Sequence, residues 1–178
     1  MPCFPGRVIR NSSWSLNAGG RISLWTGKVR NVGKGEQDIG QYDDIKQVHY
    51  VQGACLLAKR EVIQRIGLLD STLFAYWEEA DWCLRGSRAG YSSVFVPNAK
   101  IWHKVTASGR GGLPVYYKTR NQFWFMKKHS TRKQYLFSLV YFFFVQFWIS
   151  TAKIIGSTKS TRLFLCFLKG IRDGISMR

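Results

Sequence analysis

Residues 135–152, Tyr-Leu-Phe-Ser-Leu-Val-Tyr-Phe-Phe-Phe-Val-Gln-Phe-Trp-Ile-Ser-Thr-Ala, run for 18 positions without a charged side chain. A stretch this apolar has to be buried in protein or to meet lipid, since exposing it to water costs roughly 25 cal/mol per Å² of apolar surface. As a helix it is about 27 Å long, just short of a bilayer's hydrocarbon layer. Lys127, Lys128, Arg132 and Lys133 precede it, and Lys153, Lys159 and Arg162 follow. Basic flanks on both sides give no orientation across a membrane. A helix lying in the plane of the bilayer, or re-entering it, accounts for both flanks better than a clean span. A second apolar piece, residues 163–168, supports membrane contact. The competing reading is a buried helix pair or a dimer face.

Charge divides the chain in the same place. Residues 1–115 hold fifteen Lys and Arg against nine acids, whereas residues 116–178 hold twelve against Asp173 alone. A basic tail suits nucleic acid or anionic lipid headgroups, and the uncharged run and a cluster of acids further upstream argue against nucleic acid. The expected partner is an anionic membrane surface. Four widely spaced cysteines (Cys3, Cys55, Cys83, Cys166) without a CxxC pair argue against a zinc ribbon and suggest reduced thiols in a cytosolic setting. The opening residues carry no apolar core of signal-peptide length.

Residues 1–48 are rich in Gly, Asn and Ser and read as a loop-rich lead-in, with a short strand at 21–25. Residues 48–52 read as a strand and 53–58 as an apolar extended piece. Residues 59–66 have helical spacing and stop at Gly67. Strands are expected at 91–96 and 99–105, a mobile loop at 106–114, and an aromatic helix at 116–129.

Between the first helix and these strands lies Tyr76-Trp77-Glu78-Glu79-Ala80-Asp81-Trp82-Cys83-Leu84-Arg85, with three carboxylates in four residues of a chain that owns ten acids and a net charge of +17. Residues 77–89 are expected to be helical, with acids in the first turn and Arg85 and Arg88 near the end, as the helix dipole favours. A wheel puts Ala80, Cys83, Leu84 and Ser87 on the core face, Glu79 and Asp81 on its shoulders, and Glu78 away from it. Asp81 and Arg85, four apart, form an ion pair worth a few tenths of a kcal/mol if exposed. The bland role for these acids is to balance the dipole and Arg85.

The order of motifs adds to this. Gly53-Ala-Cys-Leu-Leu-Ala-Lys-Arg-Glu-Val, Ile66-Gly-Leu-Leu-Asp, Phe74-Ala-Tyr-Trp-Glu-Glu-Ala-Asp-Trp-Cys-Leu-Arg, Arg88-Ala-Gly-Tyr, Val96-Pro and Trp102-His resemble family 2 glycosyltransferases, the rhamnosyltransferase-like branch above all. Ala18-Gly-Gly, Gly40-Gln-Tyr-Asp, Tyr116-Tyr117 and Arg120-Asn121 fit the same pattern, so the resemblance covers roughly residues 7–130. It implies an α/β chain holding the acceptor-binding half of a GT-A (nucleotide-diphospho-sugar transferase) fold over residues 1–130. A basic, aromatic, membrane-associated helical tail over 131–178 would follow. No Asp-x-Asp occurs in the sequence, and the resemblance therefore implies a fragment, or a chain that pairs with a polypeptide carrying the donor half.

The resemblance further implies inverting transfer from a nucleotide-diphosphate sugar to a glycan or lipid-linked acceptor, in cell-surface polysaccharide synthesis at the cytoplasmic face of the membrane. It assigns the catalytic base to Glu79, where the family motif has Asp, with Asp81 as runner-up. Gly53, Trp77, Glu78 and Arg120 become candidate substrate-binding residues, Arg120 by way of the diphosphate. His103 becomes a ligand to a divalent cation, Mn2+ or Mg2+. The alternative is a non-catalytic, membrane-associated remnant or accessory protein.

Overall fold

The structure, a computed structural model, describes residues 7–9, 17–102 and 111–176. The chain mixes helices with small sheets in an α/β-like manner, and its internal contacts divide it into two units. One comprises Met1–Ile22, Val29–Ser71 and Glu78–Thr106; the other comprises Ser23–Lys28, Thr72–Trp77 and Ala107–Arg178.

In the first unit, strand β1 (Arg7–Ile9) pairs in parallel with the distant β6 (Lys100–Trp102), in register Val8 to Ile101. Parallel neighbours need a long crossover between them, and the intervening chain supplies it. Strands β2 (Gly20–Ser23) and β3 (Lys28–Asn31) form a hairpin within the stretch expected to be loop-rich. Strand β4 (Lys46–Val48) pairs antiparallel with β5 (Ser93–Phe95). Tyr50 then bridges back to Gly20. The Ala-Gly-Gly run is explained by this packing: a Cβ on Gly20 would sit 2.0 Å from the Tyr50 ring, and one on Gly19 2.6 Å from Val48.

Residues 53–58 are not the continuous extended piece expected. Gly53–Cys55 is a 3₁₀ turn without buried residues, placed to offer its main chain rather than its side chains. Helix α1 (Arg60–Ile66) ends at Gly67, whose φ of +76° a side chain would resist. Helix α2 (Glu78–Arg88) carries the acids and ends with Tyr91 N–H donating to Gly86 O at 2.9 Å. The core of this unit includes Val51, Val62, Ala80, Trp82, Cys83 and Phe95, each at most 4% exposed.

Helices build the second unit. Helix α3 (Gly112–His129) starts inside the segment expected to be loop, with Pro114 in its first turn where the missing N–H costs nothing. After Ser130, Thr131 and Gln134 form a reciprocal capping box that starts helix α4 (Arg132–Tyr141) sharply. A π turn (Phe142–Gln146) joins α4 to α5 (Phe147–Thr158), so that Arg132–Thr158 is one continuous helix of 27 residues. Phe142 and Phe147 sit five residues apart and would diverge by about 140° on a straight helix. Across the π turn both stack on Phe167, with centroids 6.3 and 5.7 Å away.

Helix α6 (Thr161–Ser176) supplies Phe167 and runs parallel to α3. Gly170 and Gly174 let the two backbones touch: a Cβ on either would lie 2.8 Å from Tyr116 O or Arg120 O, respectively. Asp173, the tail's one acid, accepts from the Tyr116 hydroxyl at 2.9 Å.

Candidate functional site

Helix α2 presents its acids in three different environments. Glu79 is half-buried, and its Oε1 accepts the main-chain N–H of Gly53 at 2.9 Å. A Cβ at position 53 would sit 2.6 Å from the same oxygen, so a side chain there would push the carboxylate aside. A carboxylate held through one oxygen retains lone pairs on the other, which is what a proton acceptor needs. Tyr50 lies in the same environment. Burial, then the negative charge of Glu79, raise its phenol well above the ordinary value, and its hydroxyl donates to Asn31 Oδ1.

Asp81 is 1% exposed and pairs with Arg85 at 2.8 Å. The ion pair that the spacing allows is therefore formed, with the acid buried and Arg85 22% exposed. Arg85 also donates to Ile66 O and, at 2.8 Å, to Leu68 O, so the pair secures the chain leaving α1. Trp82 helps by donating its indole N–H to Gly67 O at 2.8 Å. The expected core face of α2 is corrected. Ala80 and Cys83 are buried as expected, but Asp81, Trp82 and Gly86 join them, Leu84 is half-buried and Ser87 is exposed. Carbonyls at the end of α1 draw polar side chains inward, which a hydrophobic wheel does not register.

Glu78 is half-buried rather than turned away, and its Oε2 is buried without a hydrogen-bond partner among the described residues. Burial, followed by the neighbouring charge of Glu79, raises its carboxyl above the usual carboxylate value.

The segment preceding α2 belongs to the second unit and is strained. Phe74, Tyr76 and Trp77 have φ of +60°, +67° and +77°, values that bulky side chains rarely adopt. Asn121, wholly buried on α3, holds this loop: its Nδ2 group shares its hydrogens among the carbonyls of Leu73, Ala75 and Tyr76, each at 2.8 Å. Arg120 adds Nη2 bonds to Thr72 O and Leu73 O at 2.8 and 3.1 Å, while its Nε donates to Asn121 Oδ1. The guanidinium also lies 4.8 Å from the Tyr117 ring centre. Trp77 is fixed by an indole bond to Lys118 O at 3.0 Å and by stacking on Phe125.

Gly53 and Glu79 are therefore brought together, Asp81 is tied to Arg85, and Trp77 and Arg120 share the clamped loop. His103 lies outside the described residues, as does most of the loop expected at 106–114. Among the described residues no three His, Cys, Asp or Glu side chains converge as a metal site would require. Sequence reasoning missed the role of Asn121 and the orphaned oxygen of Glu78. Position 121 beside Arg120 was visible; that its amide would gather three carbonyls was not.

No family model matches the chain. A 66-residue stretch is 36% identical to the N-acetylglucosaminyl-diphospho-decaprenol L-rhamnosyltransferase of Mycobacterium tuberculosis, covering 36% of this chain and 22% of that protein. Over 49 residues the chain is 33% identical to the low-salt glycan biosynthesis hexosyltransferase Agl10 of Haloferax volcanii, covering 28% of this chain and 16% of the relative. A 59-residue stretch is 39% identical to the uncharacterized protein y4gI of Sinorhizobium fredii, covering 6% of it. The likeness is to glycosyltransferases. The matched stretches span about a fifth of the rhamnosyltransferase and less of the hexosyltransferase, 22% and 16% of their lengths.

Proposed function

We propose that the chain forms the acceptor-side portion of a family 2, GT-A glycosyltransferase, with residues 1–130 in that domain and residues 131–178 as a membrane-associated tail. It contributes to inverting transfer from a nucleotide-diphosphate sugar to a glycan or lipid-linked acceptor at the cytoplasmic membrane face. The observation that carries this reading is the local likeness to two sugar-transferring enzymes. The Gly53–Glu79 hydrogen bond supports the choice of base.

In this reading Glu79 takes the proton of the acceptor hydroxyl as that oxygen attacks the anomeric carbon and the diphosphate departs with its bonding electrons. Asp81 keeps α2 in place through Arg85, a positioning role. Arg120 and Asn121 fix the loop that leads into α2, and a diphosphate contact by Arg120 would compete with its carbonyl bonds. The divalent cation implied by the resemblance finds no ligand set among the described residues. It stays with His103 as a proposal, and no step here runs through it.

Calorimetric titration of the full chain with a panel of nucleotide-diphosphate sugars, with Mn2+ present, tests the reading. Binding of at least one member is the expected result. A panel that gives no heat overturns an autonomous transferase and favours the accessory-protein reading.

A further inference from the structure

The continuous helix Arg132–Thr158 has one covered side and one bare side. Phe142, Leu139, Phe147 and Ile154 pack among Phe123, Phe167 and Ile171. Gln146, the polar residue in the middle of the run, exchanges two amide hydrogen bonds with Gln122 of α3 at 3.0 and 2.7 Å. On the other side Leu136, Val140, Phe144, Trp148 and Ile155 are each more than half exposed, and only 6% of the most apolar 18-residue window is buried. Soluble proteins rarely leave such a patch uncovered.

Length alone permits a span. Lys133 and Lys153 are 20 positions apart, about 30 Å along a helix and the thickness of a bilayer's hydrocarbon. What is attached to the helix forbids it. Residues Ser23–Lys28, part of the same unit, reach α4, where Trp25 meets Phe137 at 5.6 Å, and Lys28 bonds the Tyr141 hydroxyl and lies 4.7 Å from its ring. Gln146 is joined to α3, which carries Lys118, Arg120, Lys127 and Lys128. A span would draw the main chain of Ser23–Lys28 and these cations into hydrocarbon. A charge there costs about 2.5–3.5 kcal/mol even on the lenient scale, and unpaired main-chain groups several kcal/mol each.

We propose that Arg132–Thr158 lies flat in the interface of an anionic bilayer. Its bare side enters the acyl boundary, and Lys133 and Lys153 remain on the same side of the membrane. Trp25, 52% exposed beside the bare side, sits at headgroup level, where tryptophan is enriched. The excess of cations over acids in residues 116–178, twelve to one, matches anionic headgroups rather than a second copy of the same basic surface. This rests on the membrane association proposed above and is independent of sugar transfer.

The test uses the full chain added outside sealed phosphatidylcholine–phosphatidylglycerol vesicles. Flotation should carry the chain with the lipid, and a membrane-impermeant amine-acylating reagent, read by peptide mass spectrometry, should modify Lys133 and Lys153 alike. Protection of one of them in the lumen overturns the flat placement. Spin labels at Val140→Cys, Trp148→Cys and Ile155→Cys, in a chain carrying Cys3→Ala, Cys55→Ala, Cys83→Ala and Cys166→Ala, should report one common depth. A depth that passes through a maximum at mid-helix overturns it as well. The double change Phe144→Glu, Trp148→Glu should lower the vesicle-bound fraction roughly tenfold, about 1.4 kcal/mol. A chain that stays off the vesicles, or dimerises in solution through this side, overturns the membrane reading altogether and leaves the nucleotide-sugar titration to judge the transferase reading separately.

Discussion

The main-chain N–H of Gly53 donates to Glu79 Oε1 at 2.9 Å across 26 positions of sequence. A side chain on the glycine would push the carboxylate aside. Under the proposed function, Glu79→Gln should lower transfer by about 10² to 10⁴, the usual share of a general base, with donor binding little changed. Gly53→Ala, which pushes on the carboxylate without removing it, should cost about 10² through misplacement. Steady-state kinetics with calorimetric binding separates the two effects; wild-type rates in Glu79→Gln would remove Glu79 from the chemistry.

The buried Asp81–Arg85 pair holds the chain end of α1 on α2. Asp81→Ala takes the carboxylate from a guanidinium that is only 22% exposed and keeps just its carbonyl bonds to Ile66 and Leu68, and unfolding in urea should show a loss on the order of 3 kcal/mol. A loss below about 1 kcal/mol, the value of a surface pair, would contradict the buried assignment.

Glu78 gives a pH dependence of definite sign. Its folded carboxyl is raised, first by burial and then by Glu79, so the folded state holds the proton more tightly than the unfolded chain. Stability therefore falls as pH rises from the ordinary carboxylate value through the raised one, and stays reduced above it. Glu78→Gln should remove that slope and raise the melting temperature at pH 7 by more than at pH 4. An equal change at both pH values would show that Glu78 titrates normally.

Asn121 supports three left-handed residues that would otherwise relax. Asn121→Ala takes the amide donor from Ala75 O and Tyr76 O, while Leu73 O keeps Arg120 and the Ala75 N–H, and should cost about 1–3 kcal/mol, with amide exchange accelerating across Thr72–Trp77. Unchanged exchange there would mean that the loop keeps its conformation without the clamp.

The contact of α6 with α3 depends on glycine. A side chain at position 170 would meet Tyr116 O and, at 3.0 Å, Thr119 Cβ, so Gly170→Leu should destabilise the chain by about 1–3 kcal/mol or more. Gly156→Ala, where nothing lies within 4 Å, is the matching control in thermal unfolding.

Much of the local structure was legible beforehand. Helix α2 was expected at 77–89 and is Glu78–Arg88, because dipole-matched charges and a following glycine mark both ends. The apolar run was recognisable as helix, though its full extent to Thr158 and its π turn were not. The failures share a cause. Residues 53–58 looked extended from composition, yet the turn at Gly53–Cys55 exists to aim main-chain groups. Asp81 looked like a shoulder residue, yet carbonyls of α1 and its exit gather Arg85 and bring the acid inward.

By itself, then, the sequence determined the periodicity of the helices, the segregation of positive charge into the tail, and the presence of three acids on one short helix. Only the tertiary structure decided what each acid does. Glu79 meets the amide of Gly53, Asp81 meets an arginine committed to two carbonyls, and Glu78 is left with one buried oxygen, Oε2, that no described residue hydrogen-bonds. The physical reason is that the deciding partners are largely main-chain N–H and C=O groups. Every residue but proline carries both, so no letter of the sequence marks which ones a fold will turn toward a carboxylate.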